Sequence, residues 1–194
     1  MTFLRNILNV SVFCFSYLLC LPVAQAGEVI HSYVDYQQGH YLLNLEMRIH
    51  APVDNVYAVL LDFNALTELN DSIKVSQLLL KHKNEYTVLL ESKGCIWFFC
   101  RRIKQVQVVT EMGNGYLHSI TDPSQSDMAS GKVLWHVRPD QQNTELTLIT
   151  YSADFEPDFF IPPLIGPWLM KKRLLKEGRK TVNGIELKAQ HAPR

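Results

Sequence analysis

Tyr86, Arg102 and His136 are the side chains of this sequence best suited to act on a bound molecule. A phenol supplies a hydrogen-bond donor, a guanidinium a permanent cation, and an imidazole a group that exchanges protons near neutral pH. Inside an apolar cavity, an imidazole would serve as acid or base for a ring closure or dehydration. Each of the three stands alone, however. The seven histidines, His31, His40, His50, His82, His118, His136 and His191, are scattered singly. There is no Gly-x-Ser-x-Gly elbow, no glycine loop to cradle a phosphate and no His-Glu-x-x-His pair. The sequence therefore assigns no catalytic residue, no metal site and no cofactor. His136 follows Trp135, so on a strand the two point to opposite faces, and Trp135 inward puts His136 outward. Tyr86 shares a face with Val88 and Leu90. Its phenol either orients a ligand oxygen or is a core tyrosine bonded to backbone.

The apolar candidates are more numerous. Tyr86, Val88 and Leu90, then Val133, Trp135 and Val137, Leu146 with Leu148, and Ile165 with Trp168 and Leu169 are the residues expected to line a ligand site. Singly, each reads equally well as ordinary core. Together they make more apolar wall than one sheet and one helix need to fill, which implies a ligand-sized void. Two further apolar segments, Ile96–Phe99 and Phe159–Leu164, lie in the sequence beside Arg101, Arg102, Lys171, Lys172 and Arg173. If both project from one end, Trp97, Phe98, Phe160 and Ile161 form an interfacial wedge with Lys171, Lys172 and Arg173 as a cationic collar for a membrane surface. The alternative gives the aromatics to the core and the charges to water. Cys95 and Cys100, on one straight strand, would be separated by roughly 16 Å, against a limit of about 7 Å for a bridge. A disulfide therefore requires a chain reversal between them, for which Gly94 offers a turn. Two buried thiols are the other reading.

The elements that must position these residues begin after a separate message. Arg5 precedes an apolar run from Ile7 to Leu21, and the segment closes on Ala24-Gln25-Ala26. That pattern is a secretory signal peptide over residues 1–26, with the mature chain starting at Gly27. Export follows from it, and Cys95 and Cys100 are the two of four cysteines that survive cleavage into an oxidising compartment. Residues 27–188 are long enough for one domain with a substantial core, and 189–194 read as a frayed tail. Charge is balanced, 19 Lys and Arg against 19 Asp and Glu. The chain lacks the dominant basic footprint of a nucleic-acid partner, and a monomer is expected.

Alternation of Leu43, Leu45, Met47 and Ile49 with Asn44, Glu46, Arg48 and His50 marks a half-buried strand, within one or two strands over Val29–Ile49. Pro52 and Asp54 open a short helix whose apolar face is Val53, Val56, Tyr57, Leu60 and Leu61. A second short helix runs through Leu66 and Leu69. Period-two patterning then gives strands near Lys74–Leu80, Glu85–Lys93, Phe99–Glu111, Tyr116–Thr121, Gly131–Arg138 and Glu145–Phe155, joined by short turns as an antiparallel meander. The proline-locked FFIPPLIGPW leads into a long basic amphipathic helix. Gly178 and Gly184 would let that helix approach the sheet closely. The fold class is α+β: a curved antiparallel sheet wrapped around a long C-terminal helix, with two short helices after the first strands.

The stretch from Ala51 to Phe63, a Pro-started helix ending at Asp62-Phe63, and the exit Asp154–Phe159 into the terminal helix resemble the START-like, or SRPBCC, superfamily of helix-grip proteins. Within it the likeness is greatest to the polyketide cyclase/dehydrase and lipid-transport group that includes coenzyme Q-binding proteins, and it covers Val29 to Leu187. The resemblance implies an elongated apolar pocket between sheet and terminal helix for a lipid, quinone or polyketide-like molecule. It also implies, with the leader, a periplasmic hydrophobic-ligand carrier that exchanges its ligand with a membrane. A cyclase or dehydrase in the same pocket, drawing polarity from His136, Tyr86 or Arg102, is the alternative.

Overall fold

A computed structural model describes residues 27–96, 99–161 and 166–192. The leader lies outside the described residues, as do Trp97, Phe98 and Ile165. Eight strands form one curved antiparallel sheet: β1 (Glu28–Gln37), β2 (His40–Ile49), β3 (Ile73–His82), β4 (Glu85–Ile96), β5 (Phe99–Gly113), β6 (Tyr116–Thr121), β7 (Met128–Pro139) and β8 (Thr147–Pro157). Helix α1 (Val53–Leu61) follows β2, and helix α2 (Gly166–Gln190) closes the chain. The second short helix expected near Leu66 is a single 3-10 turn, Leu66–Glu68.

The strand order β1-β2-β8-β7-β6-β5-β4-β3 is a meander from β3 to β8 with the N-terminal hairpin added beside the last strand. Turns between them occupy the left-handed region where short links require it, at Gln38-Gly39, at Lys83 and at Gly113-Asn114-Gly115. The predicted β2 parity is observed: Leu43, Leu45, Met47 and Ile49 are buried and form the core with Val56, Val59 and Leu60 of α1.

Helix α2 packs chiefly on β1, β2 and α1. Its buried residues are Gly166 and Met170 in the first turns and Val182, Ile185, Glu186 and Ala189 in the last. Gly178 and Gly184 sit where the helix approaches its neighbours closely. A Cβ on Gly178 would stand 2.8 Å from Leu45 Cδ1, and one on Gly184 only 2.1 Å from the Leu69 carbonyl oxygen. The cations along the helix hold it down: Lys171 to Asp35 at 3.1 Å, Lys180 to Asp71 at 2.6 Å, and Lys188 to Asp62 and Glu68 at 3.2 and 3.1 Å. Asn70, buried, donates to the Glu177 carbonyl and to Thr181 Oγ1. The helix runs past residue 188, since Ala189 is buried and its carbonyl accepts from Asn55 Nδ2 at 3.0 Å.

Cys95 and Cys100 face each other across the β4–β5 hairpin, with Cα atoms 4.0 Å apart, and are joined by a disulfide. The reversal needed for the bridge is the hairpin itself.

Candidate functional site

A cavity of about 200 Å³ lies on the concave side of the sheet. Its floor comes from successive strands: Leu90 of β4, Gln105, Gln107 and Val109 of β5, Leu117 and Ser119 of β6, Val133 and Trp135 of β7, and Tyr151 of β8. Its roof is the end of α1 and the turn after it, Leu60, Phe63, Leu66 and Leu69, with Ile73 at the start of β3. Among the described residues, α2 contributes Thr181 alone. The terminal helix thus closes the N-terminal side of the sheet, and α1 with its 3-10 turn covers the void. Trp135 meets Tyr151 edge-on, with ring centroids 4.5 Å apart. Desolvation pushes the buried Tyr151 phenol up to about 12, so it stays neutral.

One wall is polar. Gln105 Nε2 donates to Thr121 Oγ1 at 2.8 Å and to Gln107 Oε1 at 3.4 Å, and Ser119 Oγ donates to the same Gln107 oxygen at 3.3 Å. With its oxygen accepting twice, Gln107 presents an Nε2 that donates to no group among the described residues. A carboxamide so held is a fixed donor in an apolar chamber.

The predicted ligand residues separate into three groups. Leu90, Val133 and Trp135 line the cavity. Tyr86, Val88 and Val137 share the inward face but are buried core. The Tyr86 phenol donates to Glu111 Oε1, and Tyr57 of α1 donates to Glu111 Oε2 at 3.2 Å, so this tyrosine fastens α1 to the sheet. The Glu111 carboxylate raises the Tyr86 phenol to about 12. Leu146 and Leu148 point the other way. Thr147 and Ile149 are the inward residues of β8, because the Thr147 hydroxyl donates to the Ala51 carbonyl at 2.7 Å and Ile149 sits between Met47 and Val137. Leu148 then lies opposite Arg48 and Arg138 on the outer face, and Leu146 lines an open polar groove with Arg48, His50 and Asp140. On α2, Trp168 is 56% exposed beneath Lys172 Nζ, 3.8 Å from its ring centre. It is two residues from buried Met170 and so faces away from it, while Leu169 is half-buried beside it.

His136 takes the outward face opposite Trp135, as its parity predicts, stacked on Tyr116 with centroids 3.9 Å apart. Arg102 is exposed, opposite Lys93 in the β4–β5 hairpin and 3.9 Å from Glu91. Neither meets the cavity. Among the described residues no group of His, Cys, Asp or Glu has the arrangement to hold a metal. Of the residues expected to form a membrane wedge, Phe160 is 83% exposed and Ile161 half-buried. The neighbouring Phe159 ring lies 4.8 Å from the Arg101 guanidinium, which brings the β8 exit beside the start of β5. Lys171 is tied to Asp35, and Arg173 to Glu177 at 2.9 Å, leaving Lys172 with Trp168.

Gln105, Gln107 and Ser119 escape sequence reasoning because their polarity reads as an outer face. Val106 and Val108 look like the inward pair, yet Val106 is buried on the outer side, where its N–H and carbonyl bond Ser126 and Asp122 of the β6–β7 connection. The one usable signal was parity with Val109.

No protein-family model and no curated protein matches the sequence. Solved structures do match in shape. A START superfamily protein from Mycobacterium smegmatis superposes with a TM-score of 0.62 at 15% identity, over 78% of this chain and 98% of the other. The chain has the START-like helix-grip fold. The Zhui aromatase/cyclase from Streptomyces sp. R1128 shares the START-like fold with a TM-score of 0.64 at 11% identity, over 78% and 94% of the two chains. A STAR-related lipid transfer protein from Xanthomonas axonopodis gives 0.57 at 18% identity, over 82% and 99%.

Proposed function

We propose that this protein is an exported, non-catalytic carrier that holds a hydrophobic molecule bearing one hydrogen-bond-accepting group. The observation that carries the reading is the Gln107 Nε2 donor, unpaired among the described residues, on the polar wall of a mainly apolar cavity. A void of about 150 Å³ already takes benzene, so this one accommodates a ring or a length of acyl chain, with the remainder of a longer ligand reaching the opening. A carbonyl, hydroxyl or carboxylate oxygen on that ligand would pair with Gln107. Binding is favoured over cyclase or dehydrase chemistry because the polar groups on the cavity wall are amides and hydroxyls, which orient a guest without exchanging protons near neutrality. Neighbours described as a lipid transfer protein and an aromatase/cyclase are consistent with a hydrophobic ligand.

Export rests on the Arg5 to Ala26 leader pattern, and placement in the periplasm on the START-like likeness. Among the described residues no helix is long and apolar enough to cross a membrane. Exposed Phe160 and Trp168, with Lys172 and Arg101, support contact with a bilayer for exchange of ligand. Native mass spectrometry of the exported protein is the test of the carrier: a fraction with one co-purifying molecule, extractable into organic solvent, is expected. A single ligand-free species that takes up no lipid from total envelope extract contradicts it. For the membrane contact, Phe160→Ser is expected to reduce sedimentation with anionic liposomes severalfold; unchanged sedimentation removes that part of the reading.

A further inference from the structure

Gly27 lies against the last turns of α2. A Cβ built on it would stand 2.8 Å from Glu186 Oε2, 2.8 Å from Val182 Cγ1 and 3.4 Å from Ile49 Cδ1, so a side chain here would have to displace Glu186 or Val182. Glu186 is 2% exposed. Its carboxylate accepts from the His50 main-chain N–H at 3.2 Å and from Gln190 Nε2 at 3.2 Å, and one oxygen is 3.4 Å from His50 Nδ1. The main-chain and amide donors are neutral, the His50 ring is a cation only when protonated, and a carboxylate withdrawn from water is costly without a full positive charge beside it.

Cleavage of the leader would create that charge. Signal peptidase adds water across the Ala26–Gly27 amide, leaving a carboxylate on Ala26 and an ammonium on Gly27. A terminal residue turns freely about its Cα–C bond, so the ammonium can swing into the direction in which a Cβ would point. A separation of 2.8 Å, too short for carbon, is the length of a charge-assisted N–H to carboxylate bond. The nitrogen needs only to lean away from Val182 toward the oxygen. We propose that Gly27–Glu186 is a maturation lock: removal of the leader after Ala26 frees an α-ammonium that docks on the buried Glu186 carboxylate and pins β1 to the end of α2. The proposal rests on the export reading and is independent of what the cavity binds.

The experiment compares the exported protein with a chain retaining Gln25 and Ala26 ahead of Gly27, each with the Cys95–Cys100 bridge formed. The intact mass of the exported protein is expected to begin at Gly27, and its Tm to exceed that of the extended chain by about 3–6 °C. In a Glu186→Gln background that gap is expected to close, which a purely steric effect of the extra residues would not do. If Glu186→Gln does not fold, Nα-acetylation of the exported protein is the second readout, with the same loss of Tm expected. An exported chain beginning elsewhere, equal Tm values, or a gap that persists in Glu186→Gln overturns the lock while leaving the carrier intact. An unprocessed chain kept inside the cell overturns the export reading with it.

Discussion

Gln107 sets what the cavity asks of a guest, because its Nε2 opens on the cavity and a guest that covered it without an accepting oxygen would leave that donor unpaired. The same accounting explains why the outer-face imidazole is not part of the site. Burial of His136 against Tyr116, with a smaller contribution from the positive charge of Arg138, lowers its pKa below the ordinary 6.5. A folded-state pKa lower than the unfolded one means that the fold favours the neutral ring. This contribution to stability is complete above pH 6.5 and declines as pH falls from 6.5 through the folded value. Ring-proton NMR is expected to give His136 a titration midpoint below 6.5; a midpoint at or above it contradicts the packing described. At this scale the sequence was half legible. Parity placed His136, Trp135, Leu90 and Val133 correctly, since each strand has large apolar residues on one side. It misled at Leu146 and Leu148, where a buried threonine hydroxyl bonded to Ala51 outweighs two leucines, and at Gln105 and Gln107, where the β6–β7 connection covers Val106 on the opposite face while Val108 stays exposed.

The elements are ordered by where backbones touch. Gly184 meets the carbonyl of Leu69, which cannot move without the turn that roofs the cavity, whereas Gly178 meets the mobile tip of Leu45. Alanine gains about 1 kcal/mol in helix propensity at either site. Overpacking against a backbone costs about 1–3 kcal/mol or more. Gly184→Ala is therefore expected to lower Tm by several degrees and Gly178→Ala to leave it within about 2 °C. Equal effects in calorimetry would show that the helix does not rest on the turn as described. Strands, α1 and α2 were readable because period, proline and turn residues all agreed. The division of labour between them was not. A basic face on α2 reads as a surface for solvent or lipid, yet Lys171, Lys180 and Lys188 reach acidic partners on β1, the β2–β3 crossover and α1, a relation that only the three-dimensional arrangement reveals.

For the whole molecule, the sheet curls around α2 on its N-terminal side and leaves the middle of its concave face to α1 and a 3-10 turn. The START-like fold was legible from element order, because a meander with one apolar face needs a cover and the chain supplies one long helix. The cavity's roof was not legible, since which helix covers which strands depends on the β2–β8 pairing, far apart in sequence. The central claim is that this covered space receives a guest, and titration of 2-naphthol, a small apolar ring system with one hydroxyl, tests it most directly. Saturable one-to-one binding is expected, weakened at least tenfold by Val133→Phe, which puts a ring into the cavity of about 200 Å³. Absence of binding, or binding that Val133→Phe leaves unchanged in a variant of undiminished Tm, would contradict it.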